Sequence, residues 1–252
     1  MSECRKITIF VSEMQNSELN IAISKEALSE LPVVEYPGGI DAVTIIDNAA
    51  KARIALRALA KCDHIGFDTE TRPSFTRGHT NKVCLLQLST GPHCYLFRLN
   101  HPGIFDMVRP ILENPDIIKV GLSVHDDFNA LRRRGELDPK GFLDLQDYAR
   151  TFHICDISLQ KIYAIVFGER ISKAQRLTNW EAPVLSDSQQ IYAAIDAWAC
   201  LKLYRYMRSG HFIPSQSRYV LPPVSETGED AMTDGHHPAE SVPEQTTEPI
   251  AQ

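Results

Sequence analysis

The stretch His64-Ile65-Gly66-Phe67-Asp68-Thr69-Glu70-Thr71 sets two acids two positions apart in a segment that reads as a strand. Alternation on a strand sends Ile65 and Phe67 to one face and Gly66, Asp68 and Glu70 to the other. Two carboxylates so placed repel each other unless protons or a cation intervene. An oxygen-seeking divalent ion such as Mg²⁺ is the natural compensation. A strand end reaching water would carry the same acids cheaply, so the pair alone decides nothing.

Outward from it, the pattern is that of an α/β protein. Val83 to Ser89 reads as a second strand, Thr90-Gly91-Pro92 as a turn and Cys94 to Phe97 as a third strand, which together make an antiparallel hairpin. Upstream lie a short apolar run, Ala42 to Ile46, and an amphipathic helix with Ala52, Leu56, Leu59 and Ala60 on one face. Downstream, Ile104 to Leu112 is helical, Ile117 to Gly121 is a short β-branched strand, and a helix starts near Asp126. Phe142 to Met207 reads as mostly helical, with Ser186 and Gln189 spaced as a capping box for the last helix.

Composition bounds the rest. The chain has 252 residues, 43% hydrophobic and 23% charged, which is ordinary for a globular protein. No apolar run approaches the roughly 20 residues of a membrane span, and Ile7 to Val11 is too short for a signal-peptide core. The six cysteines form no C-x-x-C pair and sit mostly in apolar surroundings, as reduced thiols do. A cytoplasmic location is therefore expected. The net charge of −6 is a property of the tail, since Tyr219 onward holds seven acids and no Lys or Arg, leaving a body of net +1. The expected organisation is an N-terminal extension over 1–40, one α/β domain over 41–212, and a disordered acidic tail over 213–252.

Two further elements carry acids. In Val120-Gly121-Leu122-Ser123-Val124-His125-Asp126-Asp127-Phe128, a strand gives way to a helix. Asp127 shares the inward stripe with Ala130 and Leu131, whereas Asp126 lines up with Asn129 and Arg133 on the solvated side. Helix capping explains such acids equally well when they stand alone. In Tyr192-Ala193-Ala194-Ile195-Asp196, the phenol and carboxylate lie at i and i+4 on one helical face. Alone, that spacing means only a local hydrogen bond.

Together, D-x-E on a strand, Asp127 opening a later helix and Y-x-x-x-D on the last helix resemble the three motifs of the DEDD 3′–5′ exonucleases. Tyr at 192, with Ile at 191 where the histidine variant would have His, places the resemblance in the tyrosine subgroup. Lys82 to Leu88, Cys94 to Phe97, Phe142 to Gln146 and Leu177-Thr178-Asn179-Trp180 extend it to about residues 40–210, most similar to the ribonuclease D and Werner-type exonuclease domains. The resemblance implies a ribonuclease H-like fold, a five-stranded mixed sheet flanked by helices. It also implies two divalent metal ions, Mg²⁺ or Mn²⁺, held by Asp68, Glu70, Asp127 and Asp196, with Asp68 shared between them. Such ions, about 3.5–4 Å apart, activate the attacking water and stabilise the leaving 3′-oxygen. Tyr192 would orient the water. The backbone of Thr69 and the side chains of Lys82 and Arg176 would grip the terminal nucleotide. The expected substrate is a single-stranded or frayed 3′ end of DNA or RNA, delivered by a partner protein. An RNA-specific processing exoribonuclease and a catalytically silent nucleic-acid-binding module of the same fold are the alternatives.

Overall fold

The computed structural model describes residues 19–76, 78 and 80–222. Its centre is a six-stranded mixed sheet built from β1 (Val43–Ile46), β2 (His64–Thr71), β3 (Val83–Ser89), β4 (Cys94–Arg98), β5 (Ile118–Gly121) and β6 (Phe142–Asp144). The strand order is β1-β4-β3-β2-β5-β6. The β2–β3–β4 meander is antiparallel, while β1 joins β4, β5 joins β2, and β6 joins β5 in parallel. The expected count of five is one short. Three-residue β6 lies in a region of helical pattern and is held as a strand by pairing with β5, which sequence periodicity does not reveal.

Seven α-helices lie among the described residues: α1 (Lys25–Glu30), α2 (Ala49–Leu59), α3 (Ile104–Leu112), α4 (Val124–Leu131), α5 (Leu145–Arg150), α6 (Leu159–Phe167) and α7 (Asp187–Arg208). No described helix is long and apolar enough to cross a membrane. Helices α2, α3 and α4 cover one face of the sheet, burying Ala52, Leu59, Val108, Leu112 and Phe128 against Ile65, Phe67, Leu86 and Leu88. Ala60, expected on the buried face of α2, is its exposed C-cap. The other face belongs to α7, which crosses β2, β3, β4 and β5 with α5 and α6 beside it.

A glycine sets how closely α7 approaches. A Cβ added at Gly66 would stand 1.9 Å from the carbonyl oxygen of Ala197. Helix backbone and strand backbone are thus in direct contact one residue from Asp196 and two residues from Asp68.

The ends of the described chain close on each other. Ile21, Ile23, Val34 and Tyr36, all from the segment expected as an extension, are buried in the α7-side core. Ile21 bridges both Ile154 and Val220, and the amide of Leu221 donates to the carbonyl of Asn20 at 2.8 Å. Residues 219–221, within the segment expected to be disordered, are tied by backbone bonds and bridges to residues 20–22. Residues 223–252 of the expected tail lie outside the described residues. Cys62, Cys84, Cys94, Cys155 and Cys200 are free thiols, of which Cys84, Cys94 and Cys200 are buried and Cys155 is exposed.

Candidate active site

The site is assembled on the α7 side of the sheet from three elements. Strand alternation in β2 aims Asp68 and Glu70 at α7, and a bulge between Glu70 and Thr71 ends the regular pairing there. Helix α7 supplies Asp196, which keeps 9% of its surface exposed. One carboxylate oxygen from each of Asp68, Glu70 and Asp196 lies within 4.8 Å of the others.

Helix α4 brings Asp127 alongside, half-buried, and leaves Asp126 exposed. The turn into α4 needs support, because Ser123 takes a left-handed backbone (φ 56°, ψ 38°) uncommon outside glycine. Asp144, the last residue of β6, provides it by accepting the amides of Ser123 at 3.2 Å and Val124 at 3.1 Å. It also caps α5 through the Gln146 amide at 2.9 Å. Its reach to α4 depends on the pairing of β6 with β5, which local sequence does not show. Thr69 contributes through its side chain as well, donating its hydroxyl to Asp127.

Helix α7 starts with the expected capping box. Ser186 accepts the Gln189 amide at 3.2 Å, and the Gln189 side chain accepts the Ser186 amide at 3.0 Å. The Gln189 amide group then donates to the Thr178 hydroxyl at 3.0 Å and the Asn179 carbonyl at 3.3 Å. These bonds pin Leu177-Thr178-Asn179-Trp180 to the helix, and the Trp180 ring packs 5.9 Å from that of Tyr192. The phenol is thereby held on the same helical face as Asp196.

Electrostatics report a shortage of positive charge. Burial, then the neighbouring Asp196, holds the Asp68 carboxyl well above the usual carboxylate range. Burial and the repulsion of Asp68, Asp196 and Asp127 push Glu70 up to about 10, against the pull of Arg176. Asp127 is raised by burial and Asp68, with the Thr69 hydrogen bond opposing. Asp196 is pushed up to about 7 by burial, moderated by the Tyr192 hydroxyl and the Lys173 ammonium. Burial and the same acids lift the Tyr192 phenol well above its ordinary value, so it stays protonated. Four acids that resist ionisation together, all offering hard oxygen donors, suit a divalent cation.

A cleft of about 170 Å³ opens over this cluster, with Asp68, Tyr192 and Asp196 on its floor and Lys173 and Arg176 among its walls. Lys173 was not foreseen, since nothing in the sequence sets it apart from other loop lysines. Lys82 is exposed just ahead of β3 and does not line this cleft. Of Arg132-Arg133-Arg134 at the end of α4, the first two are exposed. Arg134 is half-buried, donating to the carbonyls of Val83 and, at 2.9 Å, of Leu99.

Residues 43–210 match the 3′–5′ exonuclease family. The chain is 29% identical over 197 residues to the bifunctional 3′–5′ exonuclease/ATP-dependent helicase WRN of Mus musculus, covering 75% of this chain and 14% of that protein. It is 30% identical over 166 residues to ribonuclease D of Haemophilus influenzae, covering 65% of this chain and 40% of that protein. The chain thus spans a minor part of these relatives. Among solved structures, the Aedes aegypti Nibbler EXO domain superposes with a TM-score of 0.63 at 21% identity, covering 73% of this chain and 96% of that one. The Trypanosoma brucei RNase D–GMP complex superposes with a TM-score of 0.59 at 22% identity, covering 73% and 58%. The fold is ribonuclease H-like. With its sheet, its last helix and all its clustered acids inside the matched region, the chain belongs to the 3′–5′ exonuclease family of the DEDD superfamily.

Proposed function

We propose that this chain hydrolyses nucleic acid from the 3′ end, one nucleotide at a time, and releases nucleoside 5′-monophosphates. The observation that carries the reading is the meeting of Asp68, Glu70 and Asp196 within 4.8 Å beneath an open cleft. These three and Asp127 would hold two divalent ions, Mg²⁺ or Mn²⁺. Bound there, the ions would supply the positive charge that favours water deprotonation and stabilises a leaving oxygen at phosphorus.

The chain's own residues do the rest. The Tyr192 hydroxyl, kept protonated by burial and its acidic neighbours, orients the attacking water rather than removing its proton, as expected of the tyrosine subgroup. Arg176 and Lys173 face the cleft and meet the phosphates of the terminal nucleotides. The Thr69 backbone positions the 3′ end, and Lys82 acts on the strand further out. The preferred substrate is a single-stranded or frayed 3′ end.

The test is digestion of matched 5′-end-labelled DNA and RNA strands with Mg²⁺, with Mn²⁺ and with chelator. A ladder of 3′-shortened products that requires metal is expected, and the strand degraded faster names the substrate. Binding without shortening of either strand under any condition would replace this reading with that of a silent binding module.

A further inference from the structure

Gln87 sits in the middle of β3, wholly removed from solvent, and among the described residues neither its amide nitrogen nor its amide oxygen has a hydrogen-bond partner. Buried polar groups are nearly always paired, and an unpaired one is costly. Gln87 is directly opposite Asp68 in the antiparallel β2–β3 register. Residues so paired share a face with Cβ atoms about 4.5–5.5 Å apart, within one side-chain rotation of a hydrogen bond. The opposite neighbour of Gln87, Leu96 on β4, is apolar.

We propose that Gln87 is a positioning residue for Asp68, its amide nitrogen donating to that carboxylate when a divalent ion is bound. The inference rests on the reading of Asp68 as a metal ligand. A neutral donor suits the place. It fixes the carboxylate's orientation and occupies one lone pair, yet it brings no positive charge to compete with the ion. An amide kept unpaired inside the sheet is then the cost of organising the Asp68 side chain as a ligand.

The test compares wild type with Gln87→Met, which keeps length and volume and removes both polar atoms. Thermal melting without metal, calorimetric titration with Mn²⁺, and kcat and KM on an end-labelled strand would be measured. Expected are an unchanged or higher melting temperature, a 10–100-fold loss of Mn²⁺ affinity, and a fall in kcat with little change in KM. A lowered melting temperature with wild-type Mn²⁺ affinity would overturn the proposal, because it would show a purely structural glutamine. If Gln87→Met fails to fold, Gln87→Leu is read by the same criteria. Wild-type protein that takes up no Mn²⁺ would overturn the metal-ligand reading as well, whereas equal uptake by wild type and variant would overturn this inference alone.

Discussion

The hydroxyl of Thr69 donates to the carboxylate of Asp127, tying β2 to α4 across 58 positions of sequence. The bond favours the ionised form of an acid that burial and Asp68 push toward protonation. Thr69→Val keeps the shape and deletes the donor. It is expected to lower metal affinity and turnover about 10–100-fold, the usual effect of removing a group that orients a ligand. Thr69→Ser should keep most of both. Calorimetric metal titration of the two variants checks this, and equal affinities would leave the bond without a role.

Adjacent acids on α4 should behave oppositely. Asp127→Asn, beside the cluster, should reduce turnover by several orders of magnitude while leaving nucleic-acid binding largely in place. Its metal-free stability should hold or rise, since one member of a repelling set has lost its charge. Exposed Asp126→Asn should cost only a helix-start interaction of about 0.3–1 kcal/mol and little activity. Rates across a Mn²⁺ titration, together with melting curves, distinguish them.

Tyr192→Phe preserves the ring packed on Trp180 and removes the hydroxyl. Loss of a positioned catalytic group lowers rate by on the order of 10²–10⁴. Metal affinity should be unchanged, because burial and the neighbouring acids keep the phenol protonated and a neutral phenol is a weak ligand beside carboxylates. Full activity at saturating metal would remove Tyr192 from the reaction.

Stability of the metal-free protein should fall as pH rises. In an unfolded chain these acids titrate near about 4, whereas in the fold Asp196 titrates at about 7 and Glu70 at about 10. Between those limits the folded state holds more protons than the unfolded state. Their contribution is therefore complete below about 4 and is lost as pH passes through about 7 and then about 10. Melting temperatures in chelator should decline between about pH 5 and about pH 9, and Mg²⁺ or Mn²⁺ should restore them at the alkaline end. A rise over that range without metal would contradict the electrostatics of the cluster.

Two truncations locate the C-terminal boundary. Removing residues 223–252 deletes a highly acidic segment poor in apolar groups and should leave the melting temperature unchanged. Removing residues from 213 onward also deletes the bonds that Tyr219 and Leu221 make with Ala22 and Asn20. That shorter chain should melt several degrees lower, in line with a loss of about 1–3 kcal/mol. Equal melting temperatures would make the strand-like closure energetically idle.

What was legible in the sequence was what repeats locally. Period-two alternation placed Asp68 and Glu70 on one face, and period-3.6 spacing joined Tyr192 to Asp196 and separated Asp127 from Asp126. The capping box of α7 was readable because both partners lie within one turn. What escaped depends on distant partners. The three residues of β6 become a strand only beside β5, and the Asp144 bonds to α4 follow from that placement. Ile21 and Val220 carry no periodic pattern and are ordered by each other. Lys173 and the Thr69 hydroxyl have no signature beyond their final position.

The contact of Gly66 with the Ala197 carbonyl gives the protein a hard stop where a packed side chain would give a spring. Side chains in a core can repack by fractions of an ångström, but two backbones in contact cannot approach further. Asp68 and Asp196 therefore inherit a spacing that substitutions elsewhere in the core cannot tune gradually. Helix and strand also share a fate. If α7 lifts, the carboxylate cluster loses a whole side at once, so cation binding and the docking of α7 belong to one cooperative unit. Amide exchange in β2 and in the Asp196 turn of α7 should then slow together when Mn²⁺ is added, even at positions remote from the carboxylates themselves.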